Sequence, residues 1–431
     1  MVAGGRWLVL AAAGSLAWLP GAGGAQPPAP AGEMTVQELV ARALAANPDL
    51  QAARTELEAA LGRLRQAGLR PNPTLDVGGQ KALGPDSNLM IGLTVPLDRG
   101  GRKAARVAVA ESELQAKQAQ LRERERRLAA DVRAKAGEYL AARRNLGVTD
   151  ELLQVDRAAL RLIHERVRQG AAPPLEENLM LVEVNRLEAT REMQAGRLEV
   201  IALQLKALAG MTPGAVLSLR GELAAPAPIL DRSEAIGRAI ERRPDIEMSR
   251  AELAAARARI HREQAEGRWD ASVTIGYQRQ DFGFMLRGLA DGGGTRPIRD
   301  VFHYFGAGVS VTLPVLNRNQ GNIAAAEAEA RAAERRLEFT ELIVRQEVSA
   351  AFAQYDAARR SLAIYERGVR EAARRNLDVV RRTYELGRAT LLEVIAEQRR
   401  YIDIENGYTE ALKQVYDAVV EVERAVGDMR P

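Results

Sequence analysis

The feature that most limits what this chain can become is a narrow apolar seam. Val107, Leu114, Leu121 and Leu128 recur at seven-residue spacing within Arg99 to Arg168, a stretch without proline. Ala104, Ala108, Ala110 and Ala116 fall between them, and Arg, Glu, Lys and Gln fill the rest, as in LRERERRLAADVRAK. A sustained repeat of this period makes a stripe too narrow for a globular core, so it must meet other helices along its length. From about Gly101 to Leu146 the run would be roughly 70 Å long as a helix, which makes it a strut.

The strut occurs twice. Ile323, Ala330, Leu337 and Val344 each lie 216 residues beyond the first set, and ARRNL at 142–146 is echoed by ARRSL at 358–362. Gly170, Leu175 and Gly210 then answer Gly387, Leu392 and Gly427 at an offset of 217. Ahead of the struts, Pro48, Arg54 and Leu57 answer Pro244, Arg250 and Leu253 at an offset of 196. Offsets this constant mark an internal duplication.

Composition closes off other classes. Aromatics are only 4% against 46% hydrophobic residues, a profile of long packed helices. The 61 basic and 57 acidic residues nearly cancel and interleave along the helices, which argues against a nucleic-acid partner. There is no cysteine, so disulfides, thiolate metal sites, cysteine nucleophiles and a lipid-modified N-terminal cysteine are excluded. His164, His261 and His303 fall in three separate segments. No Ser/His/Asp arrangement is evident, and DRGGRK lacks the Walker spacing. No catalytic residue, metal site or cofactor is expected, and the chain does not read as an enzyme.

The N-terminus reads as an export signal over 1–25: Arg6, the apolar run WLVLAAAGSLAWL, then small residues up to Ala25. A Pro/Ala-rich linker spans 26–33. The first structural repeat is expected over 34–220. It comprises two helices broken at Asn47-Pro48, strands at about 74–81 and 88–96, a long helix at about 101–146, and helices at about 149–169 and 175–209. The second, over 221–431, has helices, strands at about 270–278 and 302–313, a long helix at about 320–362, and helices at about 365–387 and 391–427. The struts are expected to reverse near Asn145 to Asp150 and again near Arg360 to Tyr365. A longer loop from Arg279 to Asp300, containing DGGG, is expected to be mobile.

The four strands alternate apolar and polar residues and have the length of tilted membrane-spanning strands. A β-element facing lipid must close, because an open edge cannot survive in hydrocarbon. Four strands cannot enclose a pore; three copies would pool twelve. The fold class is therefore mostly α with a small β part. Long antiparallel coiled-coil helices would form an α-barrel tunnel, and each chain would give four strands to a trimeric barrel. The alternative is an exported coiled-coil scaffold or adaptor without a pore, although an adaptor would need a Gly/Val-rich lipoyl-like domain that neither half contains.

The stretches ALAANPDLQAARTELEAALGRLRQAGLRPNPTL, VPLDRGGRKAARVAVAESEL, LPVLNRNQGNIAAAEAEA and YELGRATLLEVIAEQ, in this order and duplicated, resemble the TolC-like outer-membrane efflux factors. The first and last, with RNQGN, are most similar to the heavy-metal and cation branch. The resemblance covers nearly the whole mature chain. It implies a homotrimer with a 12-stranded barrel in outer-membrane lipid, continuous with a periplasmic helical tunnel. It also implies a periplasmic adaptor and an inner-membrane pump as partners, in a tripartite efflux or type I secretion system. Function would then sit at the two reversals, where Arg144, Asn145, Leu146, Gly147, Val148 and Arg360, Ser361, Leu362, Ala363 are the candidates for adaptor contact. Asp150, Asp156, Glu366 and Asp378 are candidates for a tunnel constriction, with Arg359, Arg360 and Arg367 able to pair with them. Trp269, Tyr277, Phe302, Tyr304 and Phe305 are candidates for an interfacial aromatic girdle.

Overall fold

The computed structural model describes residues 33–84, 86–223 and 231–428. The expected signal peptide lies outside the described residues, as does nearly all of the linker. In chain order the elements are β1 (Glu33–Met34), α1 (Val36–Ala46), α2 (Pro48–Ala67), β2 (Thr74–Lys81), β3 (Ser87–Leu97), α3 (Arg102–Arg168), α4 (Pro174–Leu208) and β4 (Ser218–Leu219). There follow α5 (Arg232–Arg242), α6 (Pro244–Glu266), β5 (Asp270–Leu289), β6 (Thr295–Thr312), α7 (Gln320–Ile364), a π turn (Tyr365–Val369), α8 (Arg370–Glu385) and α9 (Leu391–Val426). Local chemistry fixes where the first of them start. Thr35 and Glu38 form a reciprocal capping box on α1, and the Asn47 side chain accepts from Leu50 N ahead of Pro48 at the first position of α2.

The long helix does not break where the sequence suggested. α3 runs unbroken for 67 residues, about 100 Å, straight through Asn145–Asp150. Gly147 is helical, with open space where a Cβ would stand. One such glycine costs a helix only about 1 kcal/mol, which the buried face continuing through Thr149, Leu152 and Leu153 offsets. The expected helix at 149–169 is therefore the lower third of α3. The chain reverses instead at Gly170, φ +72°, where Gly170 N donates to Val167 O (2.9 Å) and Ala171 N to Arg166 O (2.7 Å). This is a Schellman stop, which only a residue at ease with positive φ completes. The second half repeats it. α7 passes Arg360–Tyr365 without reversing, crosses the π turn, in which Gly368 holds φ +125°, and continues as α8. It turns at Gly387, with Gly387 N on Tyr384 O (2.8 Å) and Arg388 N on Thr383 O (2.9 Å).

Two equivalent cores sit midway along the helices. In one, Leu39, Val40 and Ala43 of α1 pack on Val132, Ala136 and Tyr139 of α3 and on Leu205 of α4. In the other, Ala235 and Ala239 of α5 pack on Val348, Phe352 and Tyr355 of α7 and on Val422 of α9. The duplication extends to single hydrogen bonds. Arg54 donates to Leu44 O (2.9 Å) as Arg250 does to Ile240 O (3.3 Å), and Asn47 reaches Leu208 O (2.9 Å) as Arg243 reaches Ala425 O (3.1 Å).

At one end the strands form an antiparallel sheet in the order β2-β3-β5-β6, with β2 and β6 at open edges. Register places Leu75, Leu93, Ile275 and Ala307 in one row, and Val77, Ile91, Tyr277 and Phe305 in the next, all on one face. The opposite face carries Asp76, Gly92, Gly276 and Gly306 in one row and Thr74, Thr94, Thr274 and Gly308 in another. Apolar residues on the first face, including Leu75, Val77, Ile275, Phe305 and Val309, are exposed. Two expectations are corrected here. Most of Arg279–Asp300 is not a loop but the continuation of the β5–β6 hairpin, which turns only at 290–294. The aromatic candidates also divide between faces. Tyr277 and Phe305 are on the apolar face, ring centroids 5.1 Å apart, while Phe302 and Tyr304 are on the polar face with Phe282. Adjacent residues of a strand point to opposite sides, so Tyr304 and Phe305 cannot share a girdle. Trp269 stands exposed just before β5.

Candidate functional site

At the end remote from the sheet, the α3–α4 hairpin lies against the α8–α9 hairpin. Two small apolar clusters hold them: Leu152, Leu153, Val184 and Leu187 with Tyr401 and Ile402, and Ile163, Met180, Leu391 and Ile395 with Tyr384. Neither is large, so polar links between the hairpins carry weight. Nearest the tips, Tyr384 Oη donates to Glu176 Oε2 (2.8 Å), tying α8 to α4. Burial, reinforced by the Glu176 carboxylate, pushes the Tyr384 phenol up to about 12, which keeps it a donor.

Above it, Gln398 of α9 donates to the buried Asp156 of α3 (2.6 Å). Glu183 of α4 is fully buried and accepts from Arg399 of α9 (2.6 Å) and from its own helical neighbour Arg186. Burial alone would raise the Glu183 carboxyl; the two guanidiniums outweigh it and hold it below the usual range. Higher still, the buried Glu405 of α9 accepts from Arg144 of α3 (3.2 Å) and Arg370 of α8 (2.6 Å). Both guanidiniums also lie over the Tyr408 ring, at 5.3 and 5.0 Å.

The residues expected at the tips are elsewhere. Arg144, Asn145, Leu146, Gly147 and Val148 belong to an uninterrupted helix about 35 Å from the Gly170 turn. Arg360, Ser361, Leu362 and Ala363 are in the last turn of α7, above the π turn. The four acidic candidates scatter. Asp156 is buried in the hairpin interface, and Asp150 accepts from Arg191 of α4 (2.7 Å). Glu366 is exposed in the π turn, and Asp378 is on the exposed side of α8, opposite Ala373 and Leu377. Tyr384, Glu176, Gln398, Arg399 and Glu405 were not singled out from sequence. The nearest available signal was the stop at Gly387 followed by the Thr390–Glu393 capping box, which marks the true tip. Among the described residues no group of three or more His, Cys, Asp or Glu could hold a metal ion.

Asp156 makes hairpin pairing pH-dependent. Burial pushes its carboxyl from 3.8 up to about 6, against the pull of Gln398 and Arg381. The folded form thus holds a proton that the unfolded chain has released. Its stabilising effect is full below about 4 and is lost as pH rises through 6. Amide exchange across 152–163, corrected for its intrinsic pH dependence, is expected to be slower at pH 5 than at pH 7, and Asp156→Asn should abolish the difference. Equal protection at both pH values in the unmodified chain would refute this.

Comparison with known proteins agrees with the geometry. The family model for outer membrane efflux proteins matches residues 39–210 and 235–428. The cobalt-zinc-cadmium resistance protein CzcC of Cupriavidus metallidurans is 25% identical over 410 residues, covering 92% of this chain and 91% of CzcC. The crystal structure of CusC superposes with a TM-score of 0.73 at 17% identity, over 91% of this chain and 92% of CusC. That of the Neisseria gonorrhoeae MtrE outer membrane channel, in its open state, gives 0.71 at 18%, over 91% of this chain and 88% of MtrE. No helix among the described residues is long and apolar enough to cross a membrane. The chain belongs to the outer membrane efflux protein family, and it is an outer-membrane channel with its helices in the periplasm.

Proposed function

We propose that three copies close a twelve-stranded barrel and conduct small toxic solutes, foremost divalent metal cations, delivered by an inner-membrane pump through a periplasmic adaptor. The observation that carries closure by several copies is the sheet itself, apolar on one face, polar on the other, with β2 and β6 both unpaired; the number three is what the family resemblance implies. Such edges are tolerable in lipid only if the β6 of one copy pairs with the β2 of the next. Adaptor contact is assigned to the turns at 169–173 and 386–390, not to the wall at Arg144 or Arg360. The exposed leucines there, Leu175 (64%) and Leu392 (59%), are duplication partners, with Leu386 (72%) beside the second turn. Paired apolar residues at exposed tips support a docking role. Glu366 and Asp378, which are free to face a lumen, are the remaining candidates for an acidic constriction. Cargo is argued from the likeness to CzcC.

Purified in detergent, the protein is expected to have the mass of a trimer and to give single-channel currents in a planar bilayer. A monomer without conductance would overturn the reading. Deleting the gene is expected to sensitise cells to zinc, cobalt and cadmium salts. Unchanged metal tolerance with new sensitivity to organic compounds would reassign the cargo.

A further inference from the structure

The β5–β6 hairpin outgrows the rest of the sheet. Pairing of β3 with β5 ends at Ser87 and Asp281, and beyond it Phe282–Leu289 and Thr295–Asp300 continue as a two-stranded ribbon. On the apolar face, the last wholly apolar row is Val77, Ile91, Tyr277 and Phe305. The chemistry then changes abruptly. The next row brings Arg279 beside His303, the next brings Lys81, and the one after brings Arg299 opposite Gly283. Past the irregular step at Met285–Leu286, Arg287 pairs with Pro297, which is two residues from Arg299 and so on the same face.

Four exposed cations therefore climb one face of the sheet, immediately above its apolar band. A single carboxylate, Asp281, shares that face among the described residues. It already accepts from Ser87 Oγ (3.0 Å) and from Arg279 Nε (3.0 Å). Lys81, Arg287 and Arg299 have no acidic partner among the described residues. Measured along the strands, the cations begin about 7 Å beyond the Tyr277 row and extend to about 26 Å. In the proposed barrel the first of these heights falls at the outer edge of the apolar band, and the others project into and beyond the head-group layer, which is about 5–8 Å deep on each side. The opposite face at the same levels carries Gln80, Gln280, Phe302 and Phe282 with one carboxylate, Asp300, and Arg296 beyond it, so the cations are concentrated on the side of the apolar band.

We propose that this basic ladder binds the phosphate groups of a phosphorylated glycolipid in the outer leaflet, whose acyl chains lie on the apolar band directly below. The occupant is fixed by continuity. A ligand that touches both surfaces must carry anions and hydrocarbon in that order, and guanidiniums match phosphate bidentately. The proposal rests on the barrel reading, which turns this face toward lipid.

The test is native mass spectrometry of the detergent-purified protein titrated with bisphosphorylated lipid A, with the same lipid stripped of phosphate, and with lipid A in competition with free inorganic phosphate. Lipid A is expected to bind at least tenfold more tightly than its dephosphorylated form, and millimolar phosphate should leave it bound. Arg287→Gln/Arg299→Gln alters only the projecting ribbon and leaves the four-stranded sheet untouched. It should cost more than tenfold in lipid A affinity, at about fivefold per cation, and adding Lys81→Gln/Arg279→Gln should erase the preference for phosphate. Equal binding of the two lipids, full displacement by phosphate, or a preference that survives the substitutions would overturn the proposal. The same spectra report the trimer mass, so failure of the barrel reading is seen separately from failure of lipid binding.

Discussion

Replacing Arg243 with methionine is expected to destabilise the α5–α6 junction by about 3 kcal/mol, a substantial fraction of the roughly 5–15 kcal/mol that holds an ordinary domain folded. The guanidinium is buried at the start of α6 and satisfies three groups that converge on it. It donates through Nε (3.0 Å) and Nη2 (2.6 Å) to Asp245, and through Nη1 to Glu347 (2.7 Å) and Ala425 O (3.1 Å). It thereby joins α6, α7 and α9 where the repeat closes on itself. Burial alone would raise the Asp245 carboxyl, and Arg243 holds it below its usual range. A methionine fills most of the volume but leaves the largely buried Asp245 with the Ile246 N–H and the field of Arg126 in place of its ion pair, and a poorly compensated charge costs more than a satisfied pair contributes. Glu347 is about one-third exposed and can turn to water, which puts the expected loss at the low end of the range. Amides of α5 and of the first turns of α6 should then exchange roughly a hundredfold faster. Adding Asp245→Asn and Glu347→Gln should restore most of the protection, because the charges that need the guanidinium are gone. A single variant with unchanged exchange would show that the cluster is not a stabilising brace.

How far the sequence could be read depended on whether each signal was local. The constant offsets and the Thr35 cap are periodic or local, and the structure repeats them, but the seam is only half-buried in one chain: Val107, Leu114, Leu121 and Leu128 flank a buried face that runs through Ala105, Val109, Ala119 and Ala129. The reversal lies some 23 residues beyond its expected place because Gly147 does not turn the chain. An isolated glycine is only a mild helix penalty, whereas Gly170 followed by Pro173 and Pro174 both stops one helix and starts the next. The apolar positions Leu152, Leu153 and Ile163 continue the buried face across Gly147, and that continuity was the decisive clue. Arg279–Asp300 read as a loop because its glycines and charges mask an alternation that only cross-strand pairing reveals. Strand parity, by contrast, was legible and would have separated Tyr304 from Phe305. The links between hairpins had no local signature at all. Tyr384 and Glu176 are 208 residues apart, and Asp156 and Gln398 are 242 apart, so only the folded hairpins bring them together.

Those links set the second large effect: Tyr384→Phe combined with Arg399→Gln is expected to raise single-channel conductance severalfold. In the proposed trimer, widening the tunnel at its periplasmic end would part the α8–α9 hairpin from α3–α4. The apolar clusters between them are small, so the charged hydrogen bonds resist that motion most. Tyr384→Phe removes the bond to Glu176 nearest the tip, leaving a carboxylate that water can reach. Arg399→Gln removes the inter-hairpin half of the Glu183 cluster, while Arg186 still neutralises the buried carboxylate from its own helix. Folding should therefore survive. Each bond to a charged group contributes about 1.5–3 kcal/mol, so losing two shifts the balance between paired and separated hairpins by at least a hundredfold. Glu405, clamped between Arg144 and Arg370 above, is untouched and serves as the fulcrum below which the hairpins part. Arg375→Gln is the control. Among the described residues that side chain reaches only Glu371 on its own helix (3.7 Å), and the substitution should leave conductance unchanged. If the double variant and the control conduct alike, the two links do not hold the tunnel entrance, and the apolar clusters around Leu153 and Ile395 must hold it alone.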